Sequence, residues 1–286
     1  MSGAFEVRRI GFTDSEVAET SAFLRSVFPH AKHLTPAYLR WQYAQNPAGR
    51  AFGFEARRDG RLIAHFAALP MIAAIDGDSR PGALVVNGAV DPAHGGRKVA
   101  KETMARLYTE APDNGFDFLV AVGNANSTGP LLNRWRLVGQ LEARIGLGRP
   151  PRLDDARPPS FERLWTDDAI AWRLADPERR SRIRKRGGGA VEVIVPSGRP
   201  GIAAILYDGL DRWALARGAE RKRAAAPLRL WIGLDPALDW SRSRFFPIPR
   251  LLRRSPLNLV FKDVSGCSLF PDPARVIFRA IDFDAF

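Results

Sequence analysis

The chain has 286 residues, with 43 Lys and Arg against 31 Asp and Glu, a formal net charge of +12, 45% hydrophobic and 26% charged residues. This is the composition of a globular protein of about two domains and excludes a disordered or collagen-like chain. No apolar run reaches the ~18 residues of a membrane span, because Leu62 to Ile75 and Ala83 to Val90 are interrupted by His65, Pro70, Asn87 and Gly88, so no membrane insertion is expected.

Met1 to Ile10 carries Glu6, Arg8 and Arg9 without an apolar stretch, so no secretory signal is expected. A lone cysteine, Cys267, fits a reducing, cytoplasmic location. Phe5 to Ile10 alternates like a half-buried strand, and Thr13-Asp-Ser-Glu16 has capping-box spacing before an apolar helical face of Val17, Phe23, Leu24, Val27 and Phe28. Thr35-Pro36 starts a second, aromatic helix with Tyr38, Leu39, Trp41 and Tyr43, which reads first as core packing and second as the wall of an acceptor pocket. Phe52 to Arg58, the turn Asp59-Gly60 and Arg61 to Ala67 read as a hairpin. Ala83 to Val90 is the next strand, and Ala93-His-Gly-Gly-Arg-Lys-Val-Ala100 runs into a helix from about Val99 to Ala111. Phe116 to Val122 is a buried strand, Gly123 to Pro130 a polar loop, Leu131 to Trp135 a short helix, and Val138 to Leu147 a strand.

The segment 149–160, rich in proline, divides the chain into parts 1–148 and 161–286. Before Pro150 there are 18 basic and 14 acidic residues, and after it 25 and 17, so the halves carry +4 and +8; a solvated basic surface and an anion-binding one both account for this. Only six of the cations are lysines, an arginine bias that also arises from codon composition. In the second part a helix near Asp167 to Leu174, capped by Thr166, is followed by strands near 182–186, 191–196 and 202–207, a helix over 208–217, and strands at 228–233, 257–264 and 276–283. Tyr38 to Pro47 resembles Ala169 to Pro177, in each case a tryptophan on a short helix followed by proline, which hints at an internal repeat or at coincidence.

The chemistry concentrates between Leu84 and Gly139. A strand ending at Val90-Asp91-Pro92 leads through a glycine-rich basic turn into a helix, where free backbone amides and the positive end of the helix dipole suit a phosphate. The order strand, Gly-rich turn, helix, strand, polar loop, short helix, strand, over about Phe5 to Leu147, resembles the GNAT acyltransferases. Val90-Asp91-Pro92 fits that family's Val-x-Pro, and Gly95-Gly96-Arg97-Lys98-Val99-Ala100 aligns with its Arg/Gln-x-x-Gly-x-Gly/Ala loop, with Gly95 in place of the leading Arg and Lys98 in place of the central glycine. Trp135-Arg-Leu-Val-Gly139 resembles its Gly-Phe/Trp-x-x-Val-Gly signature, with Arg134 where glycine is usual.

The resemblance implies an α/β fold with a GNAT-type mixed sheet flanked by helices, followed by a second, smaller and degenerate GNAT-like domain. It implies acetyl-CoA as co-substrate, held by Val90, Gly95, Gly96, Arg97, Lys98, Val99, Ala100 and Asn126, and acetyl transfer to an amine of a small molecule or amino sugar. A lysine at a left-handed position would cost roughly 1 kcal/mol, so a reshaped loop is expected at Lys98. The tyrosine that serves as acid in many family members falls near Pro130 and is missing. Asp91, Asn124 and His65 are the candidate catalytic residues. Each also has a plain structural reading: Asp91 as a solvated turn residue, Asn124 and Asn126 as turn caps, His65 as a hydrogen-bonded core histidine. His30, His33 and His94 lack metal spacing, and Cys267 lacks a histidine partner in its half, so no metal site or catalytic thiol is expected. The charge runs Arg182 to Arg186 and Arg221 to Arg223 read as solvated faces. Two other functions remain open: a Fem-like transferase using aminoacyl-tRNA, bound by the basic second half, and a non-catalytic binding protein that keeps the fold.

Overall fold

A computed structural model describes residues 4–94, 96–153, 157–185, 187–210, 227–253 and 255–283. Local rules account for the opening elements. Strand β1 (Glu6–Arg9) precedes helix α1 (Asp14–Val27), where the Glu16 amide donates to Thr13 Oγ1 at 3.3 Å and the Thr13 amide to Glu16 Oε2 at 3.1 Å, the expected capping box. Helix α2 (Pro36–Ala44) has Thr35 as N-cap and proline in its first turn. Strands β2 (Phe52–Arg58) and β3 (Arg61–Ile75) form the hairpin around Asp59-Gly60, both left-handed as a tight two-residue turn requires, and β4 (Asp78–Val90) returns along β3. Helix α3 (Arg97–Glu110), strand β5 (Phe118–Gly123), helix α4 (Thr128–Leu132) and strands β6 (Arg136–Gln140) and β7 (Glu142–Leu147) complete the first half.

The second half holds β8 (Phe161–Arg163), α5 (Asp167–Leu174), β9 (Arg182–Lys185), β10 (Ala190–Pro196), β11 (Ile202–Leu210), β12 (Leu228–Leu234), β13 (Arg244–Pro247), β14 (Asn258–Asp263) and β15 (Val276–Arg279). Several expectations are corrected. The strand read over 138–147 is two strands broken at Leu141, since β6 and β7 pair with different partners. Residues 208–210 continue β11 and are not helical; the rest of the helix expected to 217 lies outside the described residues, as do Gly95, Arg186 and the run 221–223. The strand expected to 283 stops at Arg279 and gives way to a 3-10 turn over Ala280–Asp282, and the short helix sits at 128–132, three residues earlier than its apolar residues implied.

The strands form one branched mixed sheet. In the first half β2, β3 and β4 are antiparallel neighbours and β4 runs parallel to β5; in the second, β9, β10 and β11 are antiparallel neighbours and β11 runs parallel to β12. The halves exchange strands: β14 lies between β5 and β6, and β7 lies between β12 and β13. Alternation along β3 divides the core between the faces. Ala67 and Leu69 meet Val17, Phe23 and Leu24 of α1 and Leu39, Trp41 and Tyr43 of α2, whereas Ala68 lies with Met104 and Leu107 of α3. A second buried cluster joins the halves, where Phe118 of β5 stacks on Phe261 of β14 at 5.4 Å and meets Phe161 of β8 edge-on at 5.7 Å. Helices α2 and α5 also meet directly. Trp41 Nε1 donates to the Trp172 carbonyl at 2.8 Å, Trp172 Nε1 donates to the Trp41 carbonyl at 3.0 Å, and the two rings stack 5.0 Å apart.

Candidate active site

Strands β4 and β5 pair in parallel from Gly82 to Val85 and from Phe118 to Ala121. Past those residues they part, β4 continuing beside β3 to Val90 and β5 ending at Gly123. A bulge lies on β4 where the pairing ends: Val86 faces Ala67 and Ala89 faces His65, so Asn87 and Gly88 together oppose Phe66. Asn87 takes the left-handed conformation, φ +52°, which asparagine tolerates better than most residues. The extra residue bends β4 away from β5 and leaves a slot with an unpaired strand edge.

Helix α2 pins the bulge. Asn87 Nδ2 donates to Gln42 Oε1 and to the Tyr43 hydroxyl, both at 2.8 Å, and Gln42 Nε2 donates to the Tyr38 hydroxyl at 3.0 Å. The Tyr43 hydroxyl also bonds His65 Nε2 at 3.0 Å, the donor of this pair being set by the imidazole tautomer. His65 Nδ1 is buried and has no hydrogen-bond partner among the described residues. His65 is fully buried, and burial pushes its imidazole down to about 3, while burial raises the Tyr43 hydroxyl against the lowering effect of its bond to Asn87. Neither group changes charge near neutral pH, so the cluster acts as a fixed strut.

The turn after β4 is ordered by Asp91. Its Oδ1 accepts the Ala93 amide at 2.8 Å, and its Oδ2 meets Arg61 and His94 Nδ1, each at 3.1 Å; Arg58 donates to the His94 carbonyl at 2.8 Å. Burial raises the Asp91 carboxyl, but the Ala93 amide, His94 and Arg61 outweigh it and hold the group below the usual carboxylate range. Gly96 follows as N-cap of α3 with φ +130°, a conformation suited to glycine, and a Cβ built there would meet no described atom within 4 Å. Among the described residues no side chain caps α3, which leaves its first-turn amides for a ligand or solvent. Arg97 and Lys98 are exposed beside them, and Val99 is buried against Ala56, Ile63 and Ala64. The expected strain at Lys98 is absent because the residue is helical; the left-handed position falls on Gly96.

Across the slot, Asn124 Oδ1 accepts the Asn126 amide at 2.9 Å and the Ser127 amide at 3.1 Å, so it closes the turn that starts α4. Asn124 and Asn126 are both exposed. The structure thus brings Val90, Asp91 and Gly96 to Ala100 together at the end of β4 and the start of α3, sets Asn124 and Asn126 at the end of the neighbouring strand, and buries His65 against Tyr43 of α2. Asn87 and Gln42 are the partners that residue type alone overlooked. The pair Asn87-Gly88 inside a β-prone run is the signal that marks such a bulge. Among the described residues no three His, Cys, Asp or Glu side chains converge on a metal position.

Residues 6–128 match the family described as "Acetyltransferase (GNAT) domain". This segment is a GNAT domain. The whole chain also shares the fold of solved GNAT structures. It covers 91% of its own length and 72% of a GCN5-related N-acetyltransferase from Kribbella flavida (14% identity, TM-score 0.62), and 92% and 73% of a probable N-acyltransferase from Enterococcus faecalis V583 (11%, 0.60). It likewise aligns over 91% of its length and 74% of Eis1 from Mycobacterium abscessus (13%, 0.55). No curated protein matches it in sequence. At the start of α3 an open glycine, first-turn amides that no described side chain caps and two exposed cations form a donor set that fits a pyrophosphate such as that of a CoA.

Proposed function

We propose that the chain is an N-acyltransferase that moves an acetyl group from acetyl-CoA to the amine of a small molecule or amino sugar. One observation carries this reading: the parallel ladder of β4 and β5 ends at Val85 and Ala121 just where a bulge turns β4 away, beside a helix start with uncapped amides. Acetyl-CoA supplies an activated thioester. The amides at Gly96 to Ala100 and the side chains of Arg97 and Lys98 would hold its pyrophosphate, Val90 would flank the slot, and Asn124 and Asn126 would line the arm. Orientation supplies most of the catalysis here, since holding two reactants in line replaces a bimolecular encounter.

Proton removal follows from what the nominated groups are doing. Asp91 has both oxygens engaged and His65 is fully buried on Tyr43, so we assign them positioning roles, the first to the turn and the second to the bulge. The acceptor would then enter as the free amine, its ammonium proton already given to water; as its nitrogen bonds the acetyl carbon the C–S bond breaks, and the second proton it sheds passes through water to the departing CoA thiolate. The same engagement favours a second reading, a non-catalytic acyl-CoA-binding protein, which turnover against a panel of amines separates from the first. Residues 161–286 would serve as a degenerate GNAT-like half that shapes the acceptor site, and the exposed Cys267 is compatible with a reducing cytoplasm. Isothermal titration with acetyl-CoA tests the reading: binding that Gly96→Glu abolishes is expected, and no binding at millimolar cofactor, or binding unchanged in the variant, overturns it.

A further inference from the structure

Among the described residues the most exposed large apolar side chains lie in one basic stretch. Leu251 is 98% exposed, Leu252 69% and Phe246 70%. From Trp240 to Arg253 the chain contains Arg242, Arg244, Arg250 and Arg253 and no acidic residue, with Asp239 just before it 4.0 Å from Arg242. The stretch is built, not loose. Phe245 is buried on the inner face of β13, which sends Arg244 and Phe246 outward beside Leu147 and Ile145 of β7. The Ile248 amide then donates to the Ala143 carbonyl at 2.9 Å, Arg253 Nε ties back to the Ile248 carbonyl at 2.9 Å, and a 3-10 turn over Arg250–Leu252 follows Pro247 and Pro249. Two adjacent leucines on a fixed turn present apolar area to water, which a folded chain ordinarily covers.

We propose that this turn docks the protein on an anionic membrane surface, with Leu251, Leu252 and Phe246 entering the headgroup layer and the arginines meeting acidic phospholipids. Charge complementarity selects the partner. A second copy would bring the same arginines face to face, and a nucleic acid would use the cations but gain nothing from two leucines. The pairing of a small apolar anchor with a basic cluster is what reversible attachment needs, since either alone binds weakly. Docking also has a direction. Ser255 Oγ, just past the turn, accepts the Ala125 amide at 2.8 Å, so the docked face lies beside the 124–127 loop at the mouth of the slot. Given the acyl-transfer reading, an amine at the leaflet would then be within reach of that mouth.

Sedimentation of the full chain with vesicles, without acetyl-CoA, tests docking separately from catalysis. Binding to phosphatidylglycerol/phosphatidylcholine vesicles is expected, with little binding to phosphatidylcholine alone and release at high salt. Leu251→Ser/Leu252→Ser, at exposed positions, should weaken it on the order of 10- to 100-fold. Arg242→Gln/Arg250→Gln should weaken it ~10-fold or more. No binding to anionic vesicles, or unchanged binding in the leucine variant, overturns the proposal. So does a wild-type dimer in analytical ultracentrifugation that the leucine variant dissociates, or tRNA binding that the leucine variant loses.

Discussion

Asn87 offers the sharpest test of how the slot is held open. Replacing it by alanine removes two donated hydrogen bonds of 2.8 Å, to Gln42 and Tyr43, each worth about 1 kcal/mol net. Alanine also has to adopt the left-handed conformation at φ +52°, at about 1 kcal/mol more, so Asn87→Ala should destabilise the fold by about 3 kcal/mol. Glycine loses the same bonds but enters that conformation freely, so Asn87→Gly should cost about 2 kcal/mol. Equilibrium urea unfolding followed by tryptophan fluorescence measures both. Titration with acetyl-CoA then reports whether the slot survives, and affinity should fall further in the alanine variant. The reasoning fails if glycine costs as much as alanine, because the bulge would then need no left-handed residue. It also fails if both variants unfold with wild-type midpoints.

Three further outcomes follow from the same geometry. Trp41→Phe and Trp172→Phe each remove one indole donor of the reciprocal pair and should cost about 1 kcal/mol apiece, with the double variant departing from additivity; strictly additive losses would show that the two bonds are independent. Asp91 titrates lower in the fold than in the unfolded chain, so its stabilisation is full above the ordinary carboxylate value and is lost as pH falls through its lowered one; Asp91→Asn should flatten that acid limb of stability, and an unchanged limb would refute the assignment. If acetyl transfer is observed, kcat/KM should rise with pH along the ionisation of the acceptor amine. An inflection near the ordinary histidine value, abolished by His65→Gln, would contradict an imidazole pushed down to about 3 by burial.

What was legible in the sequence was what local chemistry decides. Thr13 with Glu16, Thr35 before Pro36, and Asp59-Gly60 each specify an element end through contacts within four residues, and each appears as expected. The start of α3 was legible only in part: a helix from about Val99 and strain at Lys98 were expected, whereas the helix begins at Arg97 and the positive φ falls on Gly96. The bulge was harder, because Ala83 to Val90 reads as continuous strand and the extra residue is defined only against its partner β3. Nominating His65 and Asp91 by residue type found side chains near the slot but could not show their distant engagement: His65 bonds Tyr43, 22 residues away, and Asp91, besides Ala93 and His94 close by, pairs with Arg61, 30 away. The apolar run from Leu257 was recognisable as a strand. Its place between β5 and β6 was not, since period-2 alternation states which face is buried and not which neighbour supplies the ladder.

The strand exchange bears on what a boundary near residues 149–160 means. Cutting there would leave the first half without β14, exposing the β5 edge from Phe118 to Gly123 and removing Leu259, Val260 and Phe261 from the two clusters that contain Phe118 and Leu119. The second half would lose β7 from between β12 and β13 and the indole partner of Trp172. Open edges of this kind recruit other strands. The slot depends on the same connection: β5 forms one of its walls, and β14 backs that wall from Gly123, opposite Asn258, to Phe118, opposite Asp263. A GNAT domain matched over residues 6–128 therefore relies, for the strand that supports its candidate thioester slot, on residues more than a hundred positions later in the chain. The second half is part of the scaffold of the first site, whatever further role its basic surface has.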